Sequence, residues 1–164
     1  MIRRWLGRKQ NASYVAASAP VNGRLIPLRE VQDDAFSRGF MGKGVAIDPL
    51  DGKVASPVDG KVIHVIDTKH AVVIEHSSGV QFLIHIGIDT VDLKGEGFKV
   101  PVKAGDAISE GQVIMEFDLC NIRKAGYPTY ILVIAIEEQL VNDIECEYRE
   151  VRLAEPNVFR VVLK

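Results

Sequence analysis

The chain has 164 residues, a formal net charge of −2 and a hydrophobic fraction of 47%. That is enough for one domain with a real core, and a charge so near zero offers no overall basic surface for nucleic acid. No apolar run reaches the roughly 18 to 20 residues of a membrane helix, and Cys120 and Cys146 lack metal-site spacing, so they read as free thiols in a reducing cytoplasm.

The chain opens on MIRRWLGRKQ. No apolar region follows these basic residues, so the segment is not a secretory signal. On a helical wheel Ile2, Trp5 and Leu6 share a stripe, Arg3, Arg4 and Arg8 turn away from it, and Lys9 falls near it. The pattern fits a helix lying on an anionic membrane surface through residues 1–10, with a solvated tail as the alternative. Residues 11–20 are small and polar and read as a linker. The expected division is therefore a tail and linker over 1–19 and one domain over 20–164.

After the linker, turn signals recur at short intervals: VNG, PLDG, PVDG, HSSG, KGEG, KAGD and SEGQ. Between them lie runs rich in Val and Ile at 44–47, 61–66, 71–74, 80–88, 112–117, 130–136 and 158–163. Strands of that length and spacing predict an all-β sandwich or barrel. Short helical turns are expected over 31–38 and 119–125, and 137–150 is the one long polar stretch of the second half.

The run FLIHIGIDTV places a histidine, His85, inside an apolar strand. Its even positions, Phe82, Ile84, Ile86 and Ile88, are all apolar, whereas the odd ones are Gln81, Leu83, His85 and Gly87. Period two puts the apolar set in the core and His85 on the opposite face, toward a surface or cleft. Gly87 lets another group approach the imidazole. Of the other histidines, His76 stands in the turn EHSSG and His64 has no partner at a useful spacing. His70 begins the preceding strand, two residues after Thr68. A hairpin centred near Ser78 pairs residue 70 close to residue 86, which brings His70 and His85 side by side.

Two adjacent imidazoles suit metal binding, acid–base work or a phosphohistidine relay. A metal needs further ligands, with Asp89 the candidate third. A relay needs one unprotonated, exposed nitrogen as nucleophile. It also needs donors around the transferred group, a demand that His70 and Thr68 fit.

The segment TKHAVVIEHSSGVQFLIHIGIDTVDLKGEGF resembles the signature region of the glucose-family enzyme IIA of the bacterial phosphotransferase system. GVAIDPLDGKVASPVDGKVI and VKAGDAISEGQVIMEFDL match as well, so the likeness runs from about residue 20 to 119. The resemblance implies an antiparallel β-sandwich with jelly-roll and Greek-key connections. It implies that His85 takes a phosphoryl group from HPr and passes it to a cysteine of a transporter's IIB domain, and that His70 and Thr68 support the transfer. Asp89 would lie at the rim, near a partner's arginine. Phe36, Phe40, Met41, Ile66, Val73 and Leu83 are the expected docking residues on an apolar face around the histidine. A chain running from its own Met to Lys164 suggests a free-standing, cytoplasmic monomer, held peripherally at the inner membrane face if the tail binds lipid.

No cofactor is required by this reading, although His70 and His85 can bind zinc opportunistically when a partner adds a carboxylate. Two rival readings remain. HIGID matches part of the lysostaphin-type zinc endopeptidase motif, but no histidine follows His85 to complete it. VKAGDAISEGQVIMEFD resembles half of a biotinyl or lipoyl carrier module, which lacks here the usual Met-Lys dipeptide.

Overall fold

Short, β-branched segments broken by glycine turns fold into strands, and the computed structural model describes residues 13–164 of this arrangement. In chain order the strands are β1 (Tyr14–Ala17), β2 (Gly23–Pro27), β3 (Lys43–Pro49), β4 (Lys53–Ala55), β5 (Gly60–Val65), β6 (Ala71–Glu75) and β7 (Gln81–Ile86). They continue with β8 (Phe98–Lys99), β9 (Ala107–Ile108), β10 (Val113–Phe117), β11 (Ile131–Ala135), β12 (Val141–Cys146), β13 (Glu150–Val151) and β14 (Phe159–Leu163). Two short α-helices interrupt them, α1 (Asp34–Ser37) and α2 (Leu119–Lys124), together with 3-10 turns at Leu28–Glu30 and Thr90–Leu93.

The largest sheet has the order β13-β2-β3-β11-β7-β6-β5-β9, and two three-stranded sheets are ordered β1-β14-β12 and β4-β10-β8. Every pairing is antiparallel. The result is the antiparallel sandwich expected for the chain. Its main core lies between the large sheet and the small ones. Phe82, Ile84 and Ile86 of β7 meet Met115 of β10, and Phe159 and Val161 of β14, in this layer.

The other face of the large sheet is also covered. Leu83 of β7, Ala71 of β6, Ala46 of β3, and Leu132 and Ile134 of β11 pack under Leu28, Val31, Phe36 and Ile88. This second layer explains why alternation along β7 is between two apolar environments rather than between core and water. The strand also stops two residues earlier than expected, at Ile86, because Gly87 turns to φ +76°. Ile88 therefore belongs to the second layer and not to the main core with Phe82, Ile84 and Ile86.

A further difference concerns residues 14–19. The expected linker is in part β1, which pairs with β14 from Tyr14↔Val162 to Ala17↔Phe159 and buries Val15, Ala17 and Ala19. Small, polar-looking residues here are strand residues packed where bulk would not fit. The structured part of the domain thus begins before residue 20. Residues 1–10, read as a membrane-surface helix, lie outside the described residues.

Candidate active site

The hairpin β6–β7 builds the site. Its turn is closed by the Gly79 N–H donating to the His76 carbonyl (2.9 Å) and the His76 N–H donating to the Val80 carbonyl (3.0 Å). Gly79 takes φ +93°, which glycine adopts without strain. The register that follows is Ala71↔His85, Val72↔Ile84, Val73↔Leu83. Residue 70 therefore lies opposite residue 86, and the Ile86 N–H donates to the His70 carbonyl at 2.8 Å.

His85 is half-buried on the second-layer face of β7, with Ala71 and Leu132 as its cross-strand neighbours. The small Ala71 leaves space that the His70 ring enters from the start of β6. The two imidazole centroids are 4.9 Å apart at an interplanar angle of 83°. On the other side Phe36 of α1 packs on His85 with centroids 5.1 Å apart. Asp33 caps α1, accepting from the Ala35 N–H at 3.0 Å and the Phe36 N–H at 3.4 Å, and so fixes the ring that contacts His85.

His70 is held from behind. Thr68 Oγ1 is 2.8 Å from His70 Nδ1, within a turn where Lys69 adopts φ +63°. Phe98 presents its ring to His70 at 6.4 Å between centroids. The nitrogen of His70 that remains, Nε2, is the one free for other work.

The electrostatics favour neutral rings. Burial lowers the pKa of His85 from 6.5 to about 4, His70 adds to the effect, and the Gly87 backbone and Asp33 oppose it. Burial likewise lowers the pKa of His70, against a smaller contribution from the Thr68 backbone. His85 Nδ1 is buried and has no hydrogen-bond partner. With Nδ1 closed off, Nε2 is the ring nitrogen left for a reacting group. A neutral imidazole with an accessible lone pair is a nucleophile at neutral pH.

The expected site residues separate into groups. His85, His70 and Thr68 come together. Phe40 and Met41, on the loop after α1, are 70% and 42% exposed, and Asp89 is exposed too. Ile66 and Val73 are partly buried against the second layer. Phe36 and Leu83 differ from the expectation of a docking face: each is only 8% exposed, because the second layer takes their side chains. Asp89 does not complete a metal site, since no cluster of three or more His, Cys, Asp or Glu suited to a metal occurs among the described residues. Asp33 and Phe98 join the site from outside the expected set. The sequence signal for Asp33 is an Asp opening a short helical stretch, and for Phe98 an aromatic after two glycines.

Comparison with known proteins places this geometry. The chain belongs to the phosphoenolpyruvate-dependent sugar phosphotransferase system, EIIA 1, family, whose profile matches residues 15–141. It is 37% identical over 156 residues to the PTS system glucose-specific EIIA component of Oceanobacillus iheyensis, covering 94% of each chain. It is 49% identical over 110 residues to the glucose-specific EIICBA component of Staphylococcus saprophyticus, covering 67% of this chain and 16% of that one. The solved glucose permease IIA of Mycoplasma capricolum superposes with a TM-score of 0.79 at 31% identity, over 90% of this chain and 96% of that one. The protein is thus a transferase component of the sugar phosphotransferase system.

Proposed function

We propose that the protein accepts a phosphoryl group on His85 Nε2 from a phosphohistidine of HPr and passes it to a cysteine of a glucose-type IIB domain. The observation that carries this reading is the edge-to-face pair of His85 and His70, 4.9 Å between centroids, with His85 Nδ1 buried and burial lowering the pKa of the ring. In the first step the Nε2 lone pair attacks phosphorus while the phosphorus–nitrogen bond to HPr breaks. In the second the incoming thiolate takes phosphorus and Nε2 regains its lone pair. His85 needs its proton on Nδ1 throughout, so that Nε2 stays nucleophilic.

His70 stabilises the charge in transit. A Thr68 hydroxyl donating to His70 Nδ1 leaves the His70 proton on Nε2, where it donates to the transferring oxygens. Phe40, Met41, Ile66 and Val73 supply an apolar docking surface, and Asp89 at its edge receives a cationic partner residue. The relatives' names point to a glucose-type transporter as the acceptor. The reaction takes place in the cytoplasm, and residues 1–10 hold the protein to anionic lipid near that transporter. Vesicle binding that is equal with and without those ten residues overturns the membrane role.

The main test is incubation with phosphoenolpyruvate, enzyme I and HPr, followed by intact-mass measurement. One acid-labile phosphoryl group is expected, and it is absent in His85→Ala. Phosphorylation persisting in that variant overturns the assignment. Zinc needs more donors than the histidine pair offers, so isolated protein should bind it weakly in calorimetry. Tight stoichiometric binding would return the metalloenzyme reading.

A further inference from the structure

The loop after β7 is held more firmly than a surface loop requires. Gly87 donates its N–H to the Tyr130 carbonyl at 2.7 Å, and Ile88 donates its N–H to the Pro128 carbonyl at 3.1 Å. Gly87 and Asp89 both have positive φ, +76° and +61°. Under this double reversal sits Thr90, fully buried. Its hydroxyl donates to the Ile86 carbonyl at 2.5 Å. Its methyl lies against Gly87, where an added Cβ would come within 2.4 Å of Thr90 Cγ2.

The Ile86 peptide is shared by both histidines. Its N–H is on the His70 carbonyl and its C=O is on Thr90, while His85 directly precedes it. Thr90 thus grips the unit that sets the relative position of the two rings. It also fills the space beside Gly87. Meanwhile His85 Nδ1 is buried with no partner, so whichever backbone group the loop brings to it decides which nitrogen keeps the proton.

We infer that Thr90 is a positioning residue for His85: by holding the Ile86 carbonyl and packing on Gly87 it fixes the backbone beside the buried Nδ1, and thereby keeps Nε2 as the nucleophilic nitrogen. This rests on the phosphohistidine role proposed above. A threonine suits the task because one side chain supplies both the hydroxyl that satisfies a buried carbonyl and the methyl that packs on the glycine. Valine keeps the shape and loses the bond, alanine loses both, and serine keeps the bond alone.

The ring nitrogen-15 shifts of His85 report the tautomer directly in unphosphorylated protein, at a pH where the imidazole is neutral. Native protein and Thr90→Ser should carry the proton on Nδ1. Thr90→Val and Thr90→Ala should show a mixed population or the Nε2–H form. In stopped-flow transfer from phospho-HPr, the Val and Ala variants should be slowed about tenfold and Ser restored to about the native rate. If Val does not fold, Ala, which loses both groups, is read against Ser, which keeps the hydroxyl alone. An unchanged tautomer in the Val and Ala variants overturns the inference, as does a native transfer rate in them. If native protein accepts no phosphoryl group, the proposed function fails, and the tautomer comparison still judges Thr90.

Discussion

At the scale of single residues, what matters around His85 is less its own identity than what its neighbours withhold from it. Ala71 withholds bulk, so His70 can lean in. Gly87 withholds a Cβ, so Thr90 and the Pro128 carbonyl can close on the loop. A Gly87→Ala side chain would come within 2.9 Å of that carbonyl, on a residue already at φ +76°. Such a backbone conformation costs a non-glycine residue on the order of 1–3 kcal/mol. Urea unfolding should show a loss of that size or more, together with impaired acceptance from phospho-HPr; native stability in the variant would contradict the packing. His70→Gln separates two roles. The nucleophile survives, so acceptance should persist, whereas a donor to the transferring oxygens is altered. Losing one such donor costs about 2.7–4 kcal/mol at a transition state. Single-turnover transfer to a IIB cysteine should slow accordingly, and an unchanged rate would remove His70 from the mechanism.

At the scale of elements, the hairpin was legible and its surroundings were not. The turn residues HSSG and the flanking Val and Ile fixed a centre at Ser78, and the observed register agrees with it. What alternation could not reveal was the nature of the opposite face. Leu83 and His85 share it, yet Leu83 is covered by a second apolar layer that comes from residues 28–36, far away in sequence. Phe36 carries the same lesson, because an aromatic in a polar stretch looks like a docking residue until a histidine is found beneath it. β1, β2, β4, β8, β9, β12 and β13 all fall outside the expected runs, because strands that are short or, like most of these, lie at a sheet edge need no long apolar run. In β12 four residues of VNDIEC are polar or thiol, and only Val141 is fully buried. For β1 the consequence is measurable. A chain starting at residue 13 keeps the strand and should unfold cooperatively near the native midpoint. One starting at residue 20 loses Val15, Ala17 and Ala19 from the core and should be severely destabilised. Burial of a valine side chain alone is worth about 1.5–3 kcal/mol, a large share of the roughly 5–15 kcal/mol that stabilises a domain. Equal melting of the two truncations would restore the linker.

At the scale of the whole molecule, the site taxes stability, and pH reveals by how much. His85 sits in a strand whose neighbours on both sides, β6 and β11, belong to the large sheet, so the molecule cannot easily open locally to hydrate a charged ring. Its folded pKa, about 4, lies below the unfolded value of 6.5, and that of His70 is lowered as well. Between those two values the unfolded chain binds more protons than the folded one. Stability is therefore fully present above pH 6.5 and is lost as the pH falls through the folded pKa. The displacement of His85 corresponds to roughly 3 kcal/mol, and the partial exposure of the ring lets water reduce it. Carboxylates also titrate in the lower part of this range, so the slope of native protein alone does not isolate the histidine. The comparison with His85→Ala does. Denaturant unfolding across pH 7 to 4 should show a steeper loss for native protein than for the variant, with the two curves diverging from about pH 6.5 downward. The same burial that makes this cost keeps the imidazole neutral and nucleophilic at physiological pH, so parallel curves would count against both the acid sensitivity and the proposed chemical readiness of His85.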